Sequence, residues 1–152
     1  GVQQVILNGE NVTSLLRTEE TGKMASKTSK YAAVRTKLVA LQRGLAKKTD
    51  VIMDGRDIGT TVLPDAFAKI YLTASSDARA KRRYDELKEK GENCSFDAIK
   101  EDIEKRDYED MHRAISPLKQ ADDAVLVDTS DMNIEQVVAA LSKIIDEKKA
   151  GR

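Results

Sequence analysis

Three short apolar runs limit this chain more than any other feature. Val51-Ile52-Met53, Lys69-Ile70-Tyr71-Leu72-Thr73 and Ala124-Val125-Leu126-Val127-Asp128 are each the length of a strand. Val51-Ile52-Met53 is continuously apolar rather than alternating, the pattern of a buried strand. Long helical patterns lie around the three runs. Strands alternating with helices predict a parallel sheet and an α/β layer architecture.

The helical patterns carry their own punctuation. Val34, Leu38, Leu41 and Leu45 recur on one face between about Tyr31 and Lys48, predicting a helix there. Ser75 and Ser76 can cap a helix that stops at Gly91. Ser95 caps another, with Phe96, Ile99 and Ile103 on its apolar face. Asn133 with Gln136 three residues later fits a capping box. The helix behind it is expected to bury Ile134, Val137, Val138, Leu141 and Ile145. Before all of these comes a predicted hairpin. Val2, Val5 and Leu7 are extended, and Asn8-Gly9-Glu10-Asn11 supplies the turn. Arg17 to Lys30 reads as a basic, small-residue stretch.

Composition excludes several classes. The 152 residues carry 26 basic and 26 acidic side chains, so no positive excess marks a dedicated nucleic-acid binder. One cysteine, Cys94, permits neither an internal disulfide nor a cysteine-cluster metal site. No apolar run approaches the ~18 residues of a membrane span. The opening GVQQVILNGENVT lacks the pattern of a secretory signal. The expectation is a single-domain cytoplasmic protein.

Three groups of residues could carry chemistry. The loop Asp54-Gly55-Arg56-Asp57 follows the first run, and ligands in open α/β sheets bind beyond the carboxyl ends of strands. Arg56 offers a donor fork for phosphate or carboxylate, and Asp57 an acceptor for an amino group. A plain strand-to-helix turn with solvated charges fits the same residues. Arg79, Arg82 and Arg83 lie within one turn of each other. Arg106, Asp110 and Arg113 follow at i, i+4 and i+7, on one side if the helix continues that far. Arginines so spaced can converge on phosphate oxygens, where phosphoryl transfer needs donors. A solvated face of i,i+4 pairs, about 0.2–0.5 kcal/mol each, accounts for them better when each helix is taken by itself. Ser26 with Arg35 could read polar edges of a base or sugar. His112, Cys94 and the methionines read as inert, and no metal ligand is singled out.

The order of motifs resembles a known family. LNGENVT, RTEE, Ala33-Val34-Arg35, LVALQR, MDGRDIGTTVLPDA, KIYLTAS, ARAKRRYDEL, EKRDYEDMHRAISPL and DDAVLVDTS together are similar to bacterial cytidylate kinases across essentially the whole chain. The resemblance implies a P-loop nucleoside-monophosphate-kinase-like three-layer parallel sheet. It implies transfer of a phosphoryl group from ATP, with Mg²⁺, to CMP or dCMP. By matching positions, Ser26, Arg35 and Asp57 would read cytosine. Arg56, Arg106 and Arg113 would hold the monophosphate and the moving phosphoryl group, and Asp110 would lie near the sugar and orient Arg113. Arg82, with Arg83, would belong to a helical lid that closes over ATP. Residues 1–30 would be part of the monophosphate-binding insert, 31–75 and 114–152 the core, and 76–113 the lid region. The family is expected to act as a monomer without nucleic acid or membrane.

The sequence departs from the family in having no GxxxxGK[ST] anywhere in its 152 residues. That loop cradles the ATP phosphates and holds Mg²⁺ through its Ser/Thr. The expectation is an N-terminally truncated kinase, with no useful activity by itself and with strand edges left to pair with another chain. A non-catalytic nucleotide-binding or interaction module is the competing reading.

Overall fold

The computed structural model describes residues 4–16 and 18–151. The chain divides into two compact units, within residues 1–49 and 50–152.

The first unit opens with the expected hairpin. Strands β1 (Ile6–Leu7) and β2 (Glu10–Asn11) pair antiparallel. Asn8 and Gly9 form the two-residue turn, at φ 51° and 89°. Positive φ at both central positions is what a turn matching the strand twist requires, and Asn-Gly tolerates it best. Val2 and Arg17 lie outside the described residues. The stretch to Lys30, which carries no helical pattern of its own, forms helix α1 (Glu19–Thr28). Thr18 caps it by accepting from the Thr21 N–H at 3.3 Å. Helix α2 spans Ala32–Ala46, close to the predicted bounds. Its apolar stripe Val34, Leu38, Leu41 and Leu45 is 38–58% exposed.

The second unit holds β3 (Ile70–Thr73), α3 (Ser76–Glu89), α4 (Phe96–His112), β4 (Val125–Asp128) and α5 (Ile134–Ala150). Strands β3 and β4 pair in parallel, Ile70 with Val125 through Thr73 with Asp128. The caps fall where the sequence puts them. Ser75 and Ser95 accept from Ala78 and Ala98, and Asn133 and Gln136 form the full capping box. Helices α3 and α4 pack against each other, with Tyr84 edge-on to Phe96 at 6.3 Å between ring centres.

Two expectations fail here. Val51-Ile52-Met53 carries no strand ladder among the described residues, and Ile52 is 98% exposed. A strand is made by its neighbour's hydrogen bonds, so apolar, β-prone residues cannot form one alone. The face of α5 is also less covered than its periodicity predicts. Ile134 is 82% and Val138 56% exposed, while Val137, Leu141 and Ile145 are half-buried. Periodicity marks a face that can be buried; the opposing surface decides whether it is.

The buried apolar residues of this unit are Val62, Ala74, Ala80 and Val127. Val62 sits in a wide helical turn, Ile58–Val62. The Val62 N–H donates to Asp57 O at 3.2 Å and the Leu63 N–H to Ile58 O at 2.7 Å, both spanning five residues. Such i→i+5 turns are rare and concentrate near functional sites. Val62→Ala removes two methylene equivalents from the one fully buried large side chain among the described residues. The expected cost is about 2 kcal/mol of unfolding free energy by urea titration. Leu45→Ala, at a half-exposed position, is expected to cost less.

Candidate functional site

Beyond the unladdered run at 51–53 the chain turns through Gly55, Arg56 and Asp57 into the wide turn. Gly55 is a point of close approach. A Cβ there would stand 3.0 Å from Ile58 Cγ1, so the Ile58 side chain would have to give way to a larger residue. Asp57 is 4% exposed, and its carbonyl accepts from the N–H groups of Thr61 and Val62. It is thus held in place by its backbone as well as its burial.

Arg56, Asp110 and Arg113 come together. Arg56 Nε donates to Asp110 Oδ2 at 2.8 Å across 54 residues of sequence. Arg113 Nη1 lies 3.7 Å from Asp110 Oδ1. Asp110 is 6% exposed and the Arg113 side chain 12%. Arg113 Nη2 is buried without a protein partner among the described residues. Two guanidinium groups therefore face one carboxylate, leaving a net positive charge and an unsatisfied donor in a partly dry place. A buried donor demands a partner. An anion with several oxygens supplies both the countercharge and the acceptor.

The i, i+4, i+7 reading of Arg106, Asp110 and Arg113 needs correction. Helix α4 ends at His112, and Arg113 has extended backbone, φ −65° and ψ 142°. Arg113 meets Asp110 because the chain folds back beyond the helix. Its Nε donates to Ser116 O, and the Leu118 N–H returns to Asp110 O at 2.8 Å. Arg106 stays on the exposed face of α4, one turn before Asp110.

The other arginines separate. Arg79 forms a two-pronged pair with Asp107 at 3.0 and 2.6 Å, and its Nε donates to Ala74 O at 3.0 Å. Ser76 donates to Glu104 at 2.8 Å and Lys100 pairs with Asp77 at 2.9 Å. Positions 100, 104 and 107 thus line one face of α4 against the first turn of α3. Arg82 does not point with Arg83. It donates to Thr129 O and to Met132 O at 3.3 Å, capping the turn after β4. Arg83 pairs with Glu86 on its own helix at 2.8 Å. Ser26 on α1 and Arg35 on α2 belong to the first unit, both half-buried.

Asp107 and Ser116 escape sequence reading. The only signals were polar residues at 100, 104 and 107, spaced for one helix face, and a Ser-Pro pair, which favours turns. Neither signal names its partner.

The turn that receives Arg82 has an electrostatic signature. The Ser130 hydroxyl, then the Ser130 N–H, hold the Asp128 carboxyl below the usual carboxylate range. Ser130 Oγ also accepts from the Ser75 N–H at 2.9 Å, tying the turn to the start of α3. A depressed carboxylate stabilises the fold above its unfolded pKa, and that contribution is lost as pH falls through the folded value. The window lies below the ordinary value of 3.8. Carboxyl-carbon NMR titration should place the Asp128 midpoint below 3.8, and Ser130→Ala should raise it toward that value. An unmoved midpoint would show that Ser130 is not the cause.

The chain is also similar in sequence to known proteins. A family model described as cytidylate kinase matches residues 1–147. The chain is similar to the cytidylate kinase of Lactobacillus johnsonii, 52% identical over 98% of this chain and 65% of the relative. It is 51% identical to that of Leuconostoc mesenteroides over 95% of this chain and 65% of the relative. It is 45% identical to that of Bacillus licheniformis over 97% of this chain and 66% of the relative. The chain therefore spans a little under two thirds of the length of the curated relatives it matches. With the match running through the Asp54–Asp57 loop, helix α4 and the Arg113–Pro117 turn, the chain belongs to the cytidylate kinase family.

Proposed function

We propose that the protein of which these residues are part transfers the γ-phosphoryl group of ATP to CMP or dCMP, giving CDP or dCDP. The observation that carries this reading is the pair Arg56 and Arg113 on one shared buried carboxylate, Asp110. In this reading the phosphate of the monophosphate takes the place opposite Asp110, between the guanidinium groups. Arg113 Nη2 donates to a phosphate oxygen and Arg56 uses its outer nitrogens. Arg106 turns in from its exposed position when the phosphate arrives. Charge spread over the transferred group's oxygens is stabilised by donors already in place. Asp110 keeps Arg113 oriented and lies near the sugar. Ser26 and Arg35 donate to the cytosine ring nitrogen and carbonyl, and Asp57 accepts from its amino group. A base that leaves those groups unpaired is rejected.

ATP and Mg²⁺ need more than these residues. Among the described residues no cluster of three acidic, histidine or cysteine side chains is placed to hold a metal ion. The 152-residue sequence also contains no GxxxxGK[ST]. Arg82 and Arg83 contribute to the ATP side as part of a lid formed by α3 and α4, which for Arg82 means leaving the Thr129 turn. Among the described residues no helix is long and apolar enough to cross a membrane, and a cytoplasmic location goes with this activity. Monomeric action on free nucleotides, without nucleic acid, completes the reading.

Calorimetric titration of the 152-residue chain tests it. CMP is expected to bind about tenfold or more tighter than cytidine, since hydrogen bonds to a charged group contribute about 1.5–3 kcal/mol. Arg113→Ala should lower that preference about tenfold, and AMP should bind more weakly than CMP. Equal affinities for CMP and AMP would sink the cytosine assignment. A coupled assay with ATP, Mg²⁺ and CMP is expected to show no steady turnover by this chain alone.

A further inference from the structure

Two non-glycine residues have positive φ among the described residues. Asn8 is one, in a hairpin turn that calls for it. Ser116, at φ 51°, is the other, and nothing in its residue type favours this conformation. Pro117 follows it, and a residue before proline is pushed toward extended backbone. Ser116 is therefore held against both preferences. Strain of this kind persists only where surrounding contacts impose it, and it gathers at functional sites.

The contacts that impose it are on both sides. The Leu118 N–H is fixed on Asp110 O at 2.8 Å, which closes the loop onto the end of α4. Inside the loop, the Ser116 carbonyl accepts from Arg113 Nε. Arg113 Nη1 faces Asp110 Oδ1 at 3.7 Å. A guanidinium is planar, so the Nε–H bond to Ser116 O, with the Asp110 carboxylate beside Nη1, orients the plane and with it Nη2. That third nitrogen is the one buried without a protein partner among the described residues. With Ser116 in the extended region its carbonyl would turn out of the loop, and Arg113 would be free to swing and pair fully with Asp110.

We propose that Ser116 is a positioning residue. Its left-handed backbone aims the Arg113 guanidinium, keeping Nη2 unspent for a phosphate oxygen of the bound monophosphate. This rests on the monophosphate reading above. The side chain of Ser116 takes no part; the role belongs to its carbonyl and to φ.

The test measures CMP and cytidine affinities of the 152-residue chain by calorimetry, together with its thermal midpoint. Ser116→Val forces a β-branched residue into a region it avoids. The CMP-to-cytidine affinity ratio should fall about tenfold, the loss of one charge-assisted bond, while cytidine affinity holds. Ser116→Asn, which tolerates the left-handed region, is the conservative variant and should restore the ratio. In an Arg113→Ala background the effect of Ser116→Val should vanish, which a general weakening of the fold would not produce. Should Ser116→Val fail to fold, Ser116→Gly decides. Glycine takes positive φ without steric cost but does not confine it. Its thermal midpoint should not fall, while the ratio drops about two- to threefold. An unchanged ratio in both the Val and Gly variants overturns the proposal. So does a lowered ratio in Ser116→Asn, which would assign the effect to the hydroxyl. If the unsubstituted chain shows no preference for CMP over cytidine, the monophosphate reading fails first and takes this inference with it.

Discussion

A buried carboxylate shared by two arginines organises this part of the molecule. Asp110 is 6% exposed and receives Arg56 from one direction and Arg113 from another. Burying a carboxylate is costly unless it is paired and hydrogen-bonded. Here it is paired more than once. Arg113 keeps one buried nitrogen without a protein partner among the described residues. That is the condition for a preformed anion site: donors held apart by the fold rather than collapsed onto each other.

Most of the remaining order in the second unit serves to bring those three residues to one place. The wide turn at Ile58–Val62 buries Val62 and Asp57 and so fixes where Arg56 leaves the chain. Lys100, Glu104 and Asp107 tie α4 to Asp77, Ser76 and Arg79 at the start of α3. Arg79 reaches further, to Ala74 O at the end of β3. Asp107 stands three residues before Asp110, so the helix carries that placement forward by one turn. Partly exposed ion pairs are individually weak. Two of them, with the Ser76–Glu104 hydrogen bond between, lie in register along one helix face and decide orientation more than stability.

The apolar surfaces point to a different property of the chain. Ile52, Leu72, Leu126, Ile134 and Val138 are all more than half exposed. Exposed apolar residues scattered singly are ordinary, but here they fall at the positions that strand and helix patterns mark for burial. The chain spans a little under two thirds of the length of its curated relatives. Arg56, Asp110 and Arg113 meet nonetheless, next to elements that are formed and capped.

Local structure was legible in the sequence because local chemistry decides it. Ser75, Ser95 and Asn133 cap helices through their own side chains, and Asn8-Gly9 makes its turn without help. The parallel character of β3 and β4 followed from helices lying between apolar runs. The order of motifs around Arg56, Asp110 and Arg113 led to the family. What the sequence could not determine was anything requiring a second surface or a distant partner. Val51–Met53 has the composition of a strand but no ladder, because a strand needs a neighbour. Ile134 lies on an apolar face that nothing covers to the expected depth. Arg82 and Arg83 look alike in sequence, yet one caps the Thr129 turn and the other pairs on its own helix. Arg113 reaches Asp110 by leaving the helix, through a left-handed Ser116 that no residue preference foretells. Caps and turns are settled within about four residues, where the chain itself sets the distances. Long-range pairs are settled by which groups the finished packing leaves within hydrogen-bond reach, and only the tertiary structure decides that.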